Sequence, residues 1–180
     1  MKKLFLSLLL ILSLPLSGCT NKNEARFRTF SEELRARNDL DVTAALRAEY
    51  DESSCSFTLR CTEDGSGGCT VEVLEPELIR GVRARMKADG TKLIYDSVAV
   101  DTGGDGSSLS PMGALPLLLR ALREGALDSV WKEDGNCAVR LVPEDEVAVT
   151  VLFDEDMTPD YAEIDSGGKT LFFLDITEFA

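Results

Sequence analysis

Histidine is absent from all 180 residues, which removes the commonest general base, the usual activator of a nucleophile and the most frequent transition-metal ligand. Many enzyme classes fall with it, and no catalytic residue is expected. Basic side chains are scarce, 19 Lys and Arg against 32 Asp and Glu, so the chain carries a net charge of −13. A surface of that sign repels nucleic acid and anionic headgroups and lacks the basic footprint that binds them, so no nucleic-acid partner is expected. It suits a solvated face or a basic partner. Paired C-x2-C spacing is missing among the five cysteines, which argues against zinc and against a redox-enzyme motif. Neither a metal nor a cofactor is expected. The longest mostly apolar run, Leu4 to Leu16, has 13 residues, against about 20 for a membrane-spanning helix.

What is present begins at the N-terminus. Met1, Lys2 and Lys3 precede that run and the small residues Ser17 and Gly18 follow it, which is the layout of an export signal. The order Leu16-Ser17-Gly18-Cys19 resembles the bacterial lipoprotein signal, in which a diacylglyceryl group joins the cysteine sulfur and cleavage leaves that cysteine first. Two acyl chains of the palmitate class bury enough methylenes, at about 0.8 kcal/mol each, to hold a protein on a membrane, which one chain does not. Residues 1–18 are therefore expected to be a lipoprotein signal peptide, 19–23 a lipidated tether and 24–180 a single domain. Loss of residues 1–18 leaves 162 residues and, because Lys2 and Lys3 go with them, a charge of −15. The domain is expected outside the cytoplasm, anchored to the outer face of the cell membrane.

Four cysteines remain after Cys19: Cys55, Cys61, Cys69 and Cys137. An even number in an exported chain reads as two disulfides with three connectivities. Cys61 and Cys69 flank the glycine-rich turn Glu63 to Gly68 and can face each other across a hairpin, which leaves Cys55 with Cys137.

Along the domain, Phe27, Phe30 and Leu34 recur at helical spacing between Glu24 and Arg37, with Asn23 as the expected cap. From Val42 the period changes to two: Val42, Ala44, Leu46, Ala48 and Tyr50 share one face. The same alternation runs through Cys55 to Cys61, Cys69 to Val73 and Val82 to Lys87. Asp89-Gly90 joins the last of these to a strand over Lys92–Val100. Glu75 to Gly81 reads as a single turn. After the glycine-rich loop Asp101 to Ser110 comes a helix over Leu117–Glu124, with Pro116 in its first turn or kinking it and Gly125 ending it. Leu115, Leu118, Leu119 and Leu122 give it a broad apolar face. Strands return at Cys137–Val142, Val147–Phe153, Tyr161–Asp165 and Lys169–Thr177, the last pair turning at Ser166-Gly167-Gly168. Helices segregated against one antiparallel sheet of about 9–11 strands make an α+β domain.

Three constellations invite chemistry. Asp101-Thr102-Gly103 and Asp165-Ser166-Gly167 match aspartic-protease triplets, and such a dyad needs no histidine. Each sits where a strand ends, however, and the 64-residue separation of the aspartates leaves no room for two lobes. Asp101 to Gly106 echoes a calcium loop without its spacing. The acid clusters Glu144-Asp145-Glu146 and Asp154-Glu155-Asp156 read as solvated turns. Trp131 is a candidate, with the four leucines, for lining an apolar hollow.

Several phrases converge on one resemblance: Val73-Leu74-Glu75-Pro76-Glu77-Leu78-Ile79-Arg80-Gly81-Val82, then Leu93-Ile94-Tyr95, Ser110-Pro111 with Ala114-Leu115-Pro116-Leu117-Leu118, and Pro159-Asp160-Tyr161-Ala162-Glu163-Ile164. Together they resemble lipoproteins of the LolA/LolB-like superfamily, most of all its Gram-positive branch, which includes a spore germination lipoprotein. The resemblance implies a strongly curved antiparallel sheet, a half-open barrel, with helices on its concave side. It implies a non-enzymatic module that binds an envelope protein, one that aids a cell-wall enzyme in germination or sporulation. The alternative it leaves open is a carrier holding an acyl chain in the hollow. No catalytic residues come with the family.

Overall fold

The computed structural model describes residues 22–50, 53–87, 90–96, 98–101 and 109–180. Cys19 and the expected signal peptide lie outside the described residues, as do Asp89 and 102–108. Two antiparallel meanders make one sheet. The first comprises β1 (Asp41–Tyr50), β2 (Ser53–Glu63), β3 (Cys69–Glu75), β4 (Arg83–Lys87), β5 (Gly90–Tyr95) and β6 (Val98–Asp101). The second comprises β7 (Ala126–Glu133), β8 (Asn136–Glu144), β9 (Val147–Phe153), β10 (Pro159–Ser166) and β11 (Lys169–Phe179).

The strand order β6-β5-β4-β3-β2-β1-β11-β10-β9-β8-β7 sets the last strand beside the first, with Leu46 opposite Leu174 and Ala48 opposite Phe172. Both remaining edges, β6 and β7, belong to strands that flank helix α2 (Pro111–Glu124) in sequence. To join them the chain must cross the sheet, and α2 does so on the concave face. Extra residues interrupt the pairing at Thr43/Ala44, Thr58/Leu59, Leu127/Ser129 and Ile164/Asp165, and such bulges bend a strand and increase its twist. The eleven-stranded sheet is curved and stays open.

Alternation supplies the core. Val42, Ala44, Leu46 and Ala48 of β1, Leu59 and Cys61 of β2, Val149 and Val151 of β9, and Phe172 and Leu174 of β11 are all buried. Helix α1 (Lys22–Ala36) adds Phe27, Ser31 and Leu34, one stripe at helical spacing. The Phe27 and Phe30 rings meet Phe153 edge-on, with centroids 6.0 and 5.2 Å away. Asn23, expected as the cap, instead lies within α1 and is buried.

Three other boundaries differ from expectation. The span Lys92–Val100 is not one strand but a hairpin, turning at Asp96 with φ 44°. An aspartate that tolerates positive φ in a two-residue loop is the local signal. α2 starts six residues earlier than Leu117, because Ser110 caps it, its Oγ accepting from the Gly113 N–H at 3.1 Å, and Pro111 opens it. β7 was not foreseen, since the bulge at Leu127/Ser129 breaks its alternation. Gly125 leaves α2 in an extended conformation, φ −60° and ψ 140°, and not in a left-handed turn, and the position has no room for a side chain: a Cβ there would lie 2.6 Å from the Ala121 carbonyl oxygen. Among the described residues no helix is long and apolar enough to cross a membrane.

Candidate binding site

The concave hollow is filled. Leu115, Leu118, Leu119 and Leu122 are at most 2% exposed, packed with β1, β2, β8 and β10 side chains such as Val42, Leu59, Leu141 and Ile164. They are part of the packed core. Trp131 stands elsewhere: Val130 packs toward the core, and Trp131, one residue on, takes the outer face, where its Nε1 donates to Glu133 Oε2 at 3.1 Å.

Arg123, at the C-terminal end of α2, ties the helices to the sheet. Its guanidinium donates to the Leu34 carbonyl at 3.1 Å, to the Arg37 carbonyl at 3.0 Å and to both Glu63 carboxylate oxygens. Ser31 and Arg35 of α1 donate in return to the Arg123 carbonyl. The hydrogen bonds to Glu63 hold the guanidinium pKa above its usual value. Sequence reasoning missed this latch, because an arginine in a leucine-rich helix gives no local sign of what it reaches.

Beside the latch lie two of the four cysteines. Cys69 sits opposite Glu63 and Cys61 opposite Val71, so the thiols are diagonal neighbours on one face of β2 and β3. Interaction with the Cys69 thiol, and then burial, hold the Cys61 thiol well above its ordinary value, while the same interaction lowers Cys69. A pocket of about 350 Å³ opens onto this corner, lined by Glu63, Cys69, Met86, Lys87, Leu119 and Arg123 among others. Cys55 and Cys137 are not brought together. Four strands, β1, β11, β10 and β9, separate β2 from β8, and all four cysteines are free thiols. Burial pushes the Cys137 thiol up.

A larger groove, about 750 Å³, lies on the outer face over β10, β11, β1 and β2, with Arg47, Phe173, Tyr161, Asp175, Glu75 and Arg80 in its lining. Arg47 stacks on Phe173 with its guanidinium carbon 4.3 Å from the ring centroid. Burial, and then the hydrogen bond to Glu163, raise the Tyr161 phenol above its usual pKa. The out-of-phase aromatic Phe173, between the inward Phe172 and Leu174, was the available signal for this groove.

Among the described residues, the apolar face emerges toward the β5–β6 edge. Across the sheet, Val71 lies opposite Ala84, Ala84 opposite Leu93 and Leu93 opposite Val100. The row begins fully buried and emerges at Leu93, 37% exposed, and Val100, 56%. Tyr95 and Val98, paired on the same face, are exposed too.

The protease-like triplets do not form a dyad. Asp101 is on β6 and Asp165 on β10, with six strands between them, and Asp165 accepts from Arg140 at 2.9 Å and Thr170 at 2.7 Å. Thr102 to Gly106 lie outside the described residues. The acid clusters build turns and an ion pair: Asp154 accepts from the Asp156 and Thr158 N–H groups, and Glu144 pairs with Arg120 at 2.8 Å. Among the described residues no cluster of side chains could hold a metal ion.

The described residues thus form an open antiparallel half-barrel with a helix laid in its concave side. Several solved structures share this fold at low sequence identity. A Vibrio parahaemolyticus domain named for outer membrane lipoprotein sorting matches at a TM-score of 0.50 and 12% identity, over 86% of this chain and 90% of that one. A LolA superfamily protein from Nitrosomonas europaea matches at 0.48 and 15%, over 86% and 91%. A chain of the Clostridioides difficile complex of the CwlD amidase with the GerS lipoprotein matches at 0.48 and 15%, over 89% and 96%. At such identities the likeness concerns the fold alone. No family model matches the sequence, and no curated protein does.

Proposed function

We propose that the protein is an exported, lipid-anchored module that binds another envelope protein and performs no chemistry itself. The observation that carries this reading is the contrast within one face: the hollow is filled by leucines at most 2% exposed, while the same apolar face continues uncovered over Leu93, Tyr95, Val98 and Val100. Exposed apolar surface of that kind, rimmed by polar residues, is what protein-binding surfaces present. Filled space is what a carrier would have to empty. The anchor is read from Lys2, Lys3, the apolar run and Leu16-Ser17-Gly18-Cys19. The partner class, an envelope protein such as a cell-wall enzyme, follows the resemblance of the sequence.

Crosslinking in intact cells followed by affinity capture tests the reading. One envelope protein should be captured in stoichiometric amount, and Val98→Glu with Val100→Glu should cut its capture at least tenfold while thermal stability stays within a few degrees. Capture that survives both changes would move the docking surface elsewhere; no captured protein, with lipid present instead, would end the module reading.

A further inference from the structure

We propose that Cys61 and Cys69 form one reversible disulfide, made and broken through the pocket that Cys69 lines, and that Cys55 and Cys137 stay as thiols. The geometry supplies the pair. Both side chains lie on the inner face of adjacent strands at diagonal positions, and the described Cys55 and Cys137 lie elsewhere on the sheet. Their exposure is unequal: Cys61 is fully buried, whereas Cys69 is half-buried and lines the 350 Å³ pocket. An external reagent therefore meets Cys69 first. The neighbouring Cys61 thiol lowers Cys69 and so favours its thiolate, the attacking form.

The step balances with an external disulfide as oxidant, such as that of an extracytoplasmic thiol oxidase or oxidised glutathione. The Cys69 thiolate attacks one sulfur of the oxidant, whose own S–S bond breaks and releases one thiolate. The Cys61 thiol then attacks the Cys69 sulfur, and the second thiolate of the oxidant is expelled and takes the Cys61 proton. Two electrons pass from the protein to the oxidant, and one S–S bond replaces another. Because Cys69 lines the pocket, the disulfide once formed stays open to attack by an external thiol, so the pair can be reduced as well as oxidised.

The site also borders the latch. Cys69 lies opposite Glu63, the carboxylate that holds Arg123. This inference does not depend on what the module binds, and a missing partner would leave it standing.

The test uses the full chain in detergent, treated with oxidised glutathione, alkylated and digested with trypsin. Cleavage after Arg60 and Arg80 leaves Cys61 and Cys69 in one peptide, with Cys55 and Cys137 in two others. The expected result is that peptide two hydrogens lighter and unalkylated, with Cys55 and Cys137 alkylated, and full reversal by dithiothreitol. Two variants keep the order of attack testable. Cys61→Ser should leave Cys69 carrying glutathione, and Cys69→Ser should leave Cys61 unmodified. A link from Cys55 to any other cysteine, an intermolecular bond through Cys69, or glutathione on Cys61 in the Cys69→Ser variant would overturn the proposal.

Discussion

Single side chains decide how firmly the helices are held. Arg123 is the sharpest case, because its guanidinium satisfies two helix-end carbonyls and a carboxylate that is itself 13% exposed. Removing one member of such a pair strands the other in a dry site. Arg123→Ala is expected to cost about 2–4 kcal/mol, read as a lower denaturant midpoint at unchanged slope; a loss below about 0.5 kcal/mol, typical of ordinary surface sites, would remove the latch from the account. Asp41 makes a weaker, more exposed statement. Hydrogen bonds from Arg60, one of them 2.8 Å long, hold its carboxyl below the usual range. A depressed carboxylate adds stability that is complete above about pH 4, its unfolded value, and is lost as pH falls through the lower folded value. Asp41→Asn should flatten part of the acid limb of the stability profile, by no more than about 1 kcal/mol for a pair this exposed. Equal acid sensitivity in both proteins would contradict the assignment.

The elements carry a different lesson, and α2 carries most of it. Its leucines are core residues by exposure, so Leu118→Ala should lower stability by about 2–5 kcal/mol through lost contacts and a residual void. Equilibrium unfolding measures this; a loss near zero would mean that the helix is not packed as described. Much of the element plan was legible, because period-two runs such as Val42 to Tyr50 and the Ser166-Gly167-Gly168 turn announce themselves within a few residues. What escaped was local signal masked by local exceptions. The bulge in β7 hid its alternation, the Asp96 turn was read as strand, and the leucines hid the Ser110-Pro111 start. The leucines themselves were named from the sequence. Whether they line a space or fill it depends on the opposing strands, which no local pattern reveals.

For the whole molecule the decisive feature is the pairing of β1 with β11, which joins the two meanders and leaves both edges free. That contact spans most of the chain and leaves no trace in any short stretch of sequence, as does the burial of Arg123 against Glu63, 60 residues away. The resemblance supplied the half-barrel; the strand order supplied the reason α2 lies in it. A helix compelled to cross the concave face to reach the far edge is well placed to plug it. The central claim is that the plug leaves no room for a stored lipid, and native mass spectrometry of a soluble form beginning at Thr20 tests it most directly. The account predicts the mass of the polypeptide alone, whatever lipids were present during expression. A stoichiometric adduct with the mass of an acyl lipid, lost on activation in the gas phase, would contradict it.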